Sequence, residues 1–331
     1  MDNRATLIEK IGQLSEHDVA VLLEIALPMA GGTSQETKPE CPYCGSSRTI
    51  RYGRKHGKQR FWCKACERTF VTTTHTVMSM SHYAEDIWRE AITDTLQGYA
   101  IDHTARRLGL YHQAAFDMRH KILVALQELP EIQDVCLGEV AELDETFVLD
   151  SYKGSKLPDH TDRAPRKRGT KAAKRGISNE YICICAGIQR AGHAYAATVN
   201  RAKPSLDEVK AMFQGHISDG TLVLCDGLQS YNALPEIADC TVKNCNAASA
   251  DEKCFYNLNT VNGFHSYIKR QYSFYRGVAS KYLNRYNALF SIAYRDVKSK
   301  IGQFSNALLS VTTHNNYHSI RTLRTAGVLA I

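Results

Sequence analysis

The sequence predicts a multidomain α+β protein, and three observations carry that expectation. Two Cys-x-x-Cys pairs punctuate a polar segment too poor in aliphatic residues to build its own core. Residues 83–128 bear apolar side chains at helical spacing, and after Pro130 the pattern changes to short apolar runs that read as strands. Strands with helices appended describe an α/β or α+β core. The 331 residues are enough for two or three compact units. Apolar content of 44% beside 23% charged residues excludes wholesale disorder.

Residues 1–36 form an N-terminal helical segment. Leu7, Ile11 and Leu14, then Val19, Leu22, Leu23, Ile25 and Leu27, recur at helical spacing, with Ser15 placed to cap a second short helix. Gly31-Gly32-Thr33-Ser34 reads as a linker. The first residues lack the basic start and apolar core of a secretory signal, and the most apolar early stretch is interrupted by Glu24 and Pro28. No stretch approaches the ~20 apolar residues needed to span a bilayer, so no membrane association is expected. Eleven cysteines without an export signal indicate reduced thiols or metal ligands, and the cytoplasm as compartment.

The segment 37–76 holds Cys41-Pro-Tyr-Cys44 and Cys63-Lys-Ala-Cys66, separated by 18 residues. That spacing is a zinc signature: each pair offers two thiolates from one tight turn, and two turns close a tetrahedron around Zn²⁺. With all four positions sulfur, the ion is structural and supplies folding energy. The resulting zinc ribbon carries Arg48, Arg51, Arg54, Lys55, Lys58 and Arg60 interleaved with Tyr52, Phe61 and Trp62, a mixture suited to phosphate contact and base stacking. A protein-binding ribbon remains the alternative.

Within 81–130, residues Tyr99 to Leu123 fit two helices around a turn at Gly109, a helix-turn-helix with Asp102 placed to cap its first helix and Ala105 allowing close approach. In such motifs the second helix enters the major groove. His112, Gln113 and Asp117 are then expected at base edges, with Arg106, Arg107, Arg119 and Lys121 at phosphates.

The core, 136–300, has expected strands at 140–149, 181–188, 193–199 and 221–225 and a helix from Ser205 to about Gly215. Glu142-Leu-Asp-Glu-Thr-Phe147 places Asp144 inside one strand, and Leu222-Val-Leu-Cys-Asp-Gly227 ends another in Asp226. Carboxylates on apolar strands are costly unless a cation compensates them, which points to a divalent metal site. A helical face brings together Asn262, His265 and Lys269, and 35 residues separate Asp226 from Asn262. An insertion, 151–178, is strongly basic: nine Lys/Arg against two acids lie between Lys153 and Arg175, among them Arg166, Lys167 and Arg168. A second basic group includes Lys269, Arg270 and Arg276. The overall charge of +7 matters through this clustering, which suits a phosphate backbone. Residues 301–331 are left as a C-terminal tail.

The two Cys-x-x-Cys pairs, Leu143-Asp-Glu-Thr146, Cys225-Asp-Gly227, Asn259-Thr-Val-Asn-Gly-Phe-His-Ser-Tyr-Ile-Lys-Arg270 and Tyr282-Leu-Asn-Arg-Tyr-Asn287 together resemble bacterial insertion-sequence transposases of the zinc-ribbon plus DDE type, over roughly 38–300. The resemblance implies a ribonuclease H-like core and a branch with Asn at the third catalytic position. It implies two Mg²⁺ or Mn²⁺ ions held by Asp144, Asp226 and Asn262, with Lys269 at a phosphate, and cleavage followed by strand transfer. Asn262 replaces the usual Glu, and an amide oxygen is an acceptable hard ligand. Double-stranded DNA, as transposon ends and target, is the implied partner, met at the nucleoid by a homodimer or larger assembly. Arg270 joins the expected DNA contacts. The competing readings are a metal-dependent nuclease without strand transfer and a catalytically inactive, transposase-derived DNA-binding regulator.

Overall fold

The computed structural model describes residues 38–55, 57–154, 172, 175–247, 254–294, 297–311 and 323–324. The expected helices within 1–36, and Arg166, Lys167 and Arg168 of the basic insertion, lie outside the described residues. The chain divides into two compact units, Met1–Thr72 and Thr73–Ile331.

In the first unit, β1 (Thr49–Lys55), β2 (Lys58–Cys63) and β3 (Thr69–Val71) form an antiparallel sheet in that order. Its buried cluster is small: Cys41, Phe61, Cys63 and Phe70, with the two phenylalanine rings stacked 5.6 Å apart. Phe61 was expected to face a ligand with Tyr52 and Trp62. It is core instead, because Arg60, Phe61 and Trp62 alternate across the strand and Phe61 takes the inward face.

The second unit begins with α1 (Glu85–Leu96), α2 (Ile101–Arg107), α3 (His112–Gln127) and the single turn α4 (Pro130–Gln133). Ala100, not Asp102, occupies the N-cap of α2, so Asp102 serves as a first-turn acid rather than a cap. Gly109 adopts φ 64° in the turn between α2 and α3, a conformation glycine reaches without Cβ strain. The strands β4 (Val140–Leu149), β5 (Tyr181–Gln189), β6 (Ala194–Arg201), β7 (Thr221–Cys225) and β8 (Cys240–Asn244) form one sheet, ordered β6-β5-β4-β7-β8. β5 runs antiparallel to both of its neighbours, β4 and β6, whereas β7 and β8 run parallel to β4.

Alternation on β5 shows why the sheet needs cover on both sides. Ile182, Ile184, Ala186 and Ile188 enter one buried cluster, and Cys183 and Cys185 enter the other. The first face is covered by α1 and α3 with α6 (Asn259–Phe274), α7 (Leu283–Ala293) and α8 (Val297–Ser310). The second is covered by α5 (Leu206–Phe213), with a full capping box at Ser205 and Glu208, and by a 3₁₀ segment at Gln229–Glu236. A Cβ at Gly187 would lie 2.6 Å from both Leu137 and Leu143. A larger residue there would have to displace both leucines from the buried cluster.

The Tyr282–Asn287 motif is structural. Asn284 Oδ1 accepts from the Thr198 amide of edge strand β6, and buried Asn287 receives Tyr272 Oη and donates to Thr198 Oγ1. Fully buried Arg285 donates to Leu323 O and faces His120 Nδ1 of α3 at 2.9 Å. Burial and the neighbouring Arg285 hold His120 down to about 2, leaving a neutral ring to accept that bond.

Candidate metal and nucleic-acid sites

The four ribbon thiols converge. Cys41 Sγ lies 3.6 Å from Cys66 Sγ, and Cys44 Sγ 3.7 Å from Cys63 Sγ, all four within 4.8 Å of one another. Tetrahedral Zn–S bonds of about 2.3 Å place sulfurs about 3.8 Å apart, so the arrangement fits zinc. Cys63 is lowered to about 6: burial opposes ionisation, but the Cys66 and Ala65 amides and the adjoining thiols outweigh it. Around the ribbon Arg48, Arg51, Arg54, Lys55 and Lys58 are exposed, while Arg60 sits 5.2 Å over the Tyr52 ring.

In the second unit, parallel register decides the acidic site. Glu142 pairs with Leu224, so Asp144 and Asp226 fall at the same level of neighbouring strands and on the same face. Asp226 begins a tight turn: its Oδ1 accepts from Leu228 N, and Asn246 donates to its carbonyl. Gly227, at φ 96°, leaves space that a Cβ could not share with Asn244.

Glu145 completes a carboxylate cluster with Asp144 and Asp226, the donor oxygens lying within 4.8 Å of one another. Strand alternation sends residues 144 and 145 to opposite faces, so no sequence pattern places both at one point. β7 ends at Cys225, one residue short of this level, and the three carboxylates nonetheless converge there. Only the succession of two acids within an apolar strand could have signalled it. Burial, and then the neighbouring Asp226, push Asp144 up to about 6, while burial and the two aspartates push Glu145 up to about 7. Buried Tyr231 Oη lies beside the Glu145 carboxylate and favours its ionisation, against the larger effect of burial. Three repelling carboxylates converging within 4.8 Å are a donor set that fits a hard divalent cation.

α6 lines the other side. His265, buried at 7% exposure, places Nδ1 3.6 Å from Asp144 Oδ2, and burial with the Lys269 charge lowers it to about 4. Exposed Asn262 precedes it by one turn and exposed Lys269 follows by one, on the same helical face. Lys269 is close enough to favour ionisation of Asp144.

The helices 101–127 divide the expected DNA contacts. Arg106, His112 and Gln113 are exposed; His112 faces Asp102 at 3.2 Å and Gln113 bonds Asp117. Arg107 is engaged by Glu90 and Asp94 at 2.7 and 2.8 Å. Arg119 and Lys121 overturn their expectation: Arg119 is 2% exposed and donates to Tyr99 O, and Lys121 donates to Ser79 O with its ammonium over Trp88. α3 is packed around much of its circumference, so charge does not report exposure there. Arg270 is exposed, beside the Tyr267 ring.

Residues 137–295 match the ISXO2-like transposase domain family. An uncharacterised protein in transposable element ISH50 of Halobacterium salinarum is 25% identical over 268 residues, covering 80% of this chain and 87% of its own. Among solved structures, a pre-cleavage Mos1 transpososome covers 69% of this chain and 78% of that chain at 11% identity and TM-score 0.22. A Mos1 transposase paired-end complex with left transposon end covers 70% and 80% at 12% identity and TM-score 0.22. At those TM-scores the two structures carry no argument about this chain. No described helix is long and apolar enough to cross a membrane.

Proposed function

We propose, from the match of residues 137–295 to the ISXO2-like transposase domain family, that the chain is a DNA transposase that binds terminal inverted repeats and performs metal-dependent cleavage and strand transfer. The observation that carries the reading is the meeting of Asp144, Glu145 and Asp226 within 4.8 Å, beside the helix bearing Asn262, His265 and Lys269. The sheet order, three antiparallel strands followed by two parallel ones, supports a ribonuclease H-like core over 136–300.

Asp144 and Asp226 would hold Mg²⁺ or Mn²⁺, with the third oxygen from Asn262 or Glu145. Glu145 enters this reading because it lies in the cluster. Such ions activate a nucleophile and stabilise a leaving oxygen in phosphodiester chemistry. The chain's own groups do the positioning. Lys269 neutralises phosphate charge at the site. His265, neutral at physiological pH and packed on Asp144, keeps that carboxylate from turning away. The exposed basic face of the ribbon and the residues Arg106, His112 and Gln113 bind the duplex as zinc ribbon (37–76) and helix-turn-helix (81–130), with Arg270 and the basic insertion 151–178 following its backbone. Two ends are brought together by a dimer or larger assembly at the nucleoid.

The test uses purified protein, a DNA fragment with terminal inverted repeats, and Mg²⁺ or Mn²⁺. Cleavage with joining supports the proposal; cleavage without joining makes the protein a nuclease. Binding with no cleavage makes it a regulator. Asn262→Ala against Glu145→Ala then assigns the third oxygen, the true ligand being the one whose loss abolishes Mn²⁺ binding.

A further inference from the structure

Glu142 lies two residues before Asp144 on the same face of β4, is 0% exposed, and uses every acceptor position it has. Its Oε2 accepts the Thr260 and Val261 amides at 2.8 and 3.0 Å; its Oε1 accepts Thr260 Oγ1 at 3.0 Å and Arg190 Nε at 2.6 Å. Those amides belong to the first turn of α6, where backbone N–H groups have no intrahelical partner and the helix dipole is positive. The N-cap position, Leu258, offers no side-chain cap of its own. The cap therefore comes from a strand 118 residues earlier.

Arg190 extends the contact. Its Nη2 donates to Phe255 O and Asn257 O at 2.7 and 3.0 Å, and its guanidinium lies 4.9 Å over the Phe255 ring. One ion pair thus grips both the chain entering α6 and the start of α6. With both oxygens saturated, Glu142 has no lone pair left for a metal, which separates it from Glu145.

We propose that Glu142, held by Arg190, is a positioning residue for the divalent-metal site: it fixes the first turn of α6 against β4 and so sets Asn262 opposite the Asp144 and Asp226 carboxylates. Asp144 lies two positions beyond Glu142 on the strand, and Asn262 directly follows Val261 on the helix, so little backbone lies between clamp and ligands to absorb a shift. The proposal rests on the metal-site reading above.

The test compares intact wild type with Glu142→Gln, Asn262→Ala, their double variant and Asp144→Asn, reading Mn²⁺ affinity by calorimetry and amide hydrogen exchange across 258–268. Glu142→Gln keeps shape and one acceptor oxygen, so the fold is retained. It is expected to speed exchange at 260–262 and to weaken Mn²⁺ binding by about 10- to 100-fold, as loss of an outer partner of a metal ligand does. In the Asn262→Ala background the same change should cost little further affinity. Unchanged exchange and affinity in Glu142→Gln would overturn the clamp, and so would an undiminished loss in the double variant, because Glu142 would then act on the fold at large. Wild-type Mn²⁺ affinity in Asp144→Asn would instead sink the metal reading, and exchange at 260–262 alone would then decide whether Glu142 fixes α6.

Discussion

The ribbon's buried cluster consists of two cysteines and two phenylalanines, whereas the unit starting at Thr73 buries a first cluster spanning helices and sheet and a second beneath the other sheet face. The ribbon therefore depends on its thiols, and the larger unit on apolar contact. The same contrast holds for their metal sites. In the smaller unit the candidate ligands are half of the buried cluster; in the larger unit the carboxylates stand beside an extensive apolar core and in mutual repulsion.

The sharpest break between the two follows metal removal. Chelation, or Cys63→Ser, should unfold 41–71 outright, since structural zinc contributes about 10–16 kcal/mol in comparable small modules. Hydrogen exchange should rise across the ribbon and stay unchanged in β5 and α6. Protection that persists in a metal-free ribbon would erase the distinction.

Phe264→Ala tests the other side. Phe264 is fully buried on α6, and its removal should cost about 3–5 kcal/mol in denaturant unfolding of the larger unit. Bound zinc should be unaffected. Zinc loss at the same denaturant concentration would mean the units unfold as one.

Asp144→Asn asks whether the carboxylates are placed for stability or for chemistry. Strand cleavage should fall by at least about 100-fold, the scale of losing one preorganised charge-stabilising group. The metal-free protein should melt at the same temperature or higher, because burial and Asp226 already disfavour the Asp144 charge. A large loss of stability would make Asp144 a structural residue.

What could be read in the sequence divides along the same line. The ribbon was legible because its ligands are local: two turns, four sulfurs, one spacing. The strands at 140–149, 181–189 and 221–225 were legible because they bury both faces and read as apolar runs. β8 was not, since Cys240–Asn244 is nowhere fully buried and shows no alternation. Arg119 was misread because charge normally reports exposure, yet α3 is enclosed by the first cluster and by α7. Glu142 stood in a motif and carried no visible role, because its partners lie 48 to 119 residues away and only the folded register brings them to it. The meeting of Glu145 with Asp144 and Asp226 was hidden for the same reason.

The smallest expected effect is a pH dependence confined to the larger unit. Asp144 and Glu145 are raised in the folded state to about 6 and about 7, from ordinary values of 3.8 and 4.5. Between those limits the folded chain binds more protons than the unfolded one, so this contribution to stability is complete below about pH 4 and is lost as pH rises through 6 to 7. The metal-free protein should accordingly melt lower at pH 8 than at pH 5 by this contribution, and Asp144→Asn should flatten the slope. A divalent ion binds the deprotonated carboxylates, so added Mn²⁺ should raise the melting temperature more at pH 8 than at pH 5. A metal held by Cys41, Cys44, Cys63 and Cys66 would not share this profile, since neither carboxylate is among those four ligands. Mn²⁺ stabilisation that is equal at the two pH values would show that these carboxylates are not the groups that take the metal.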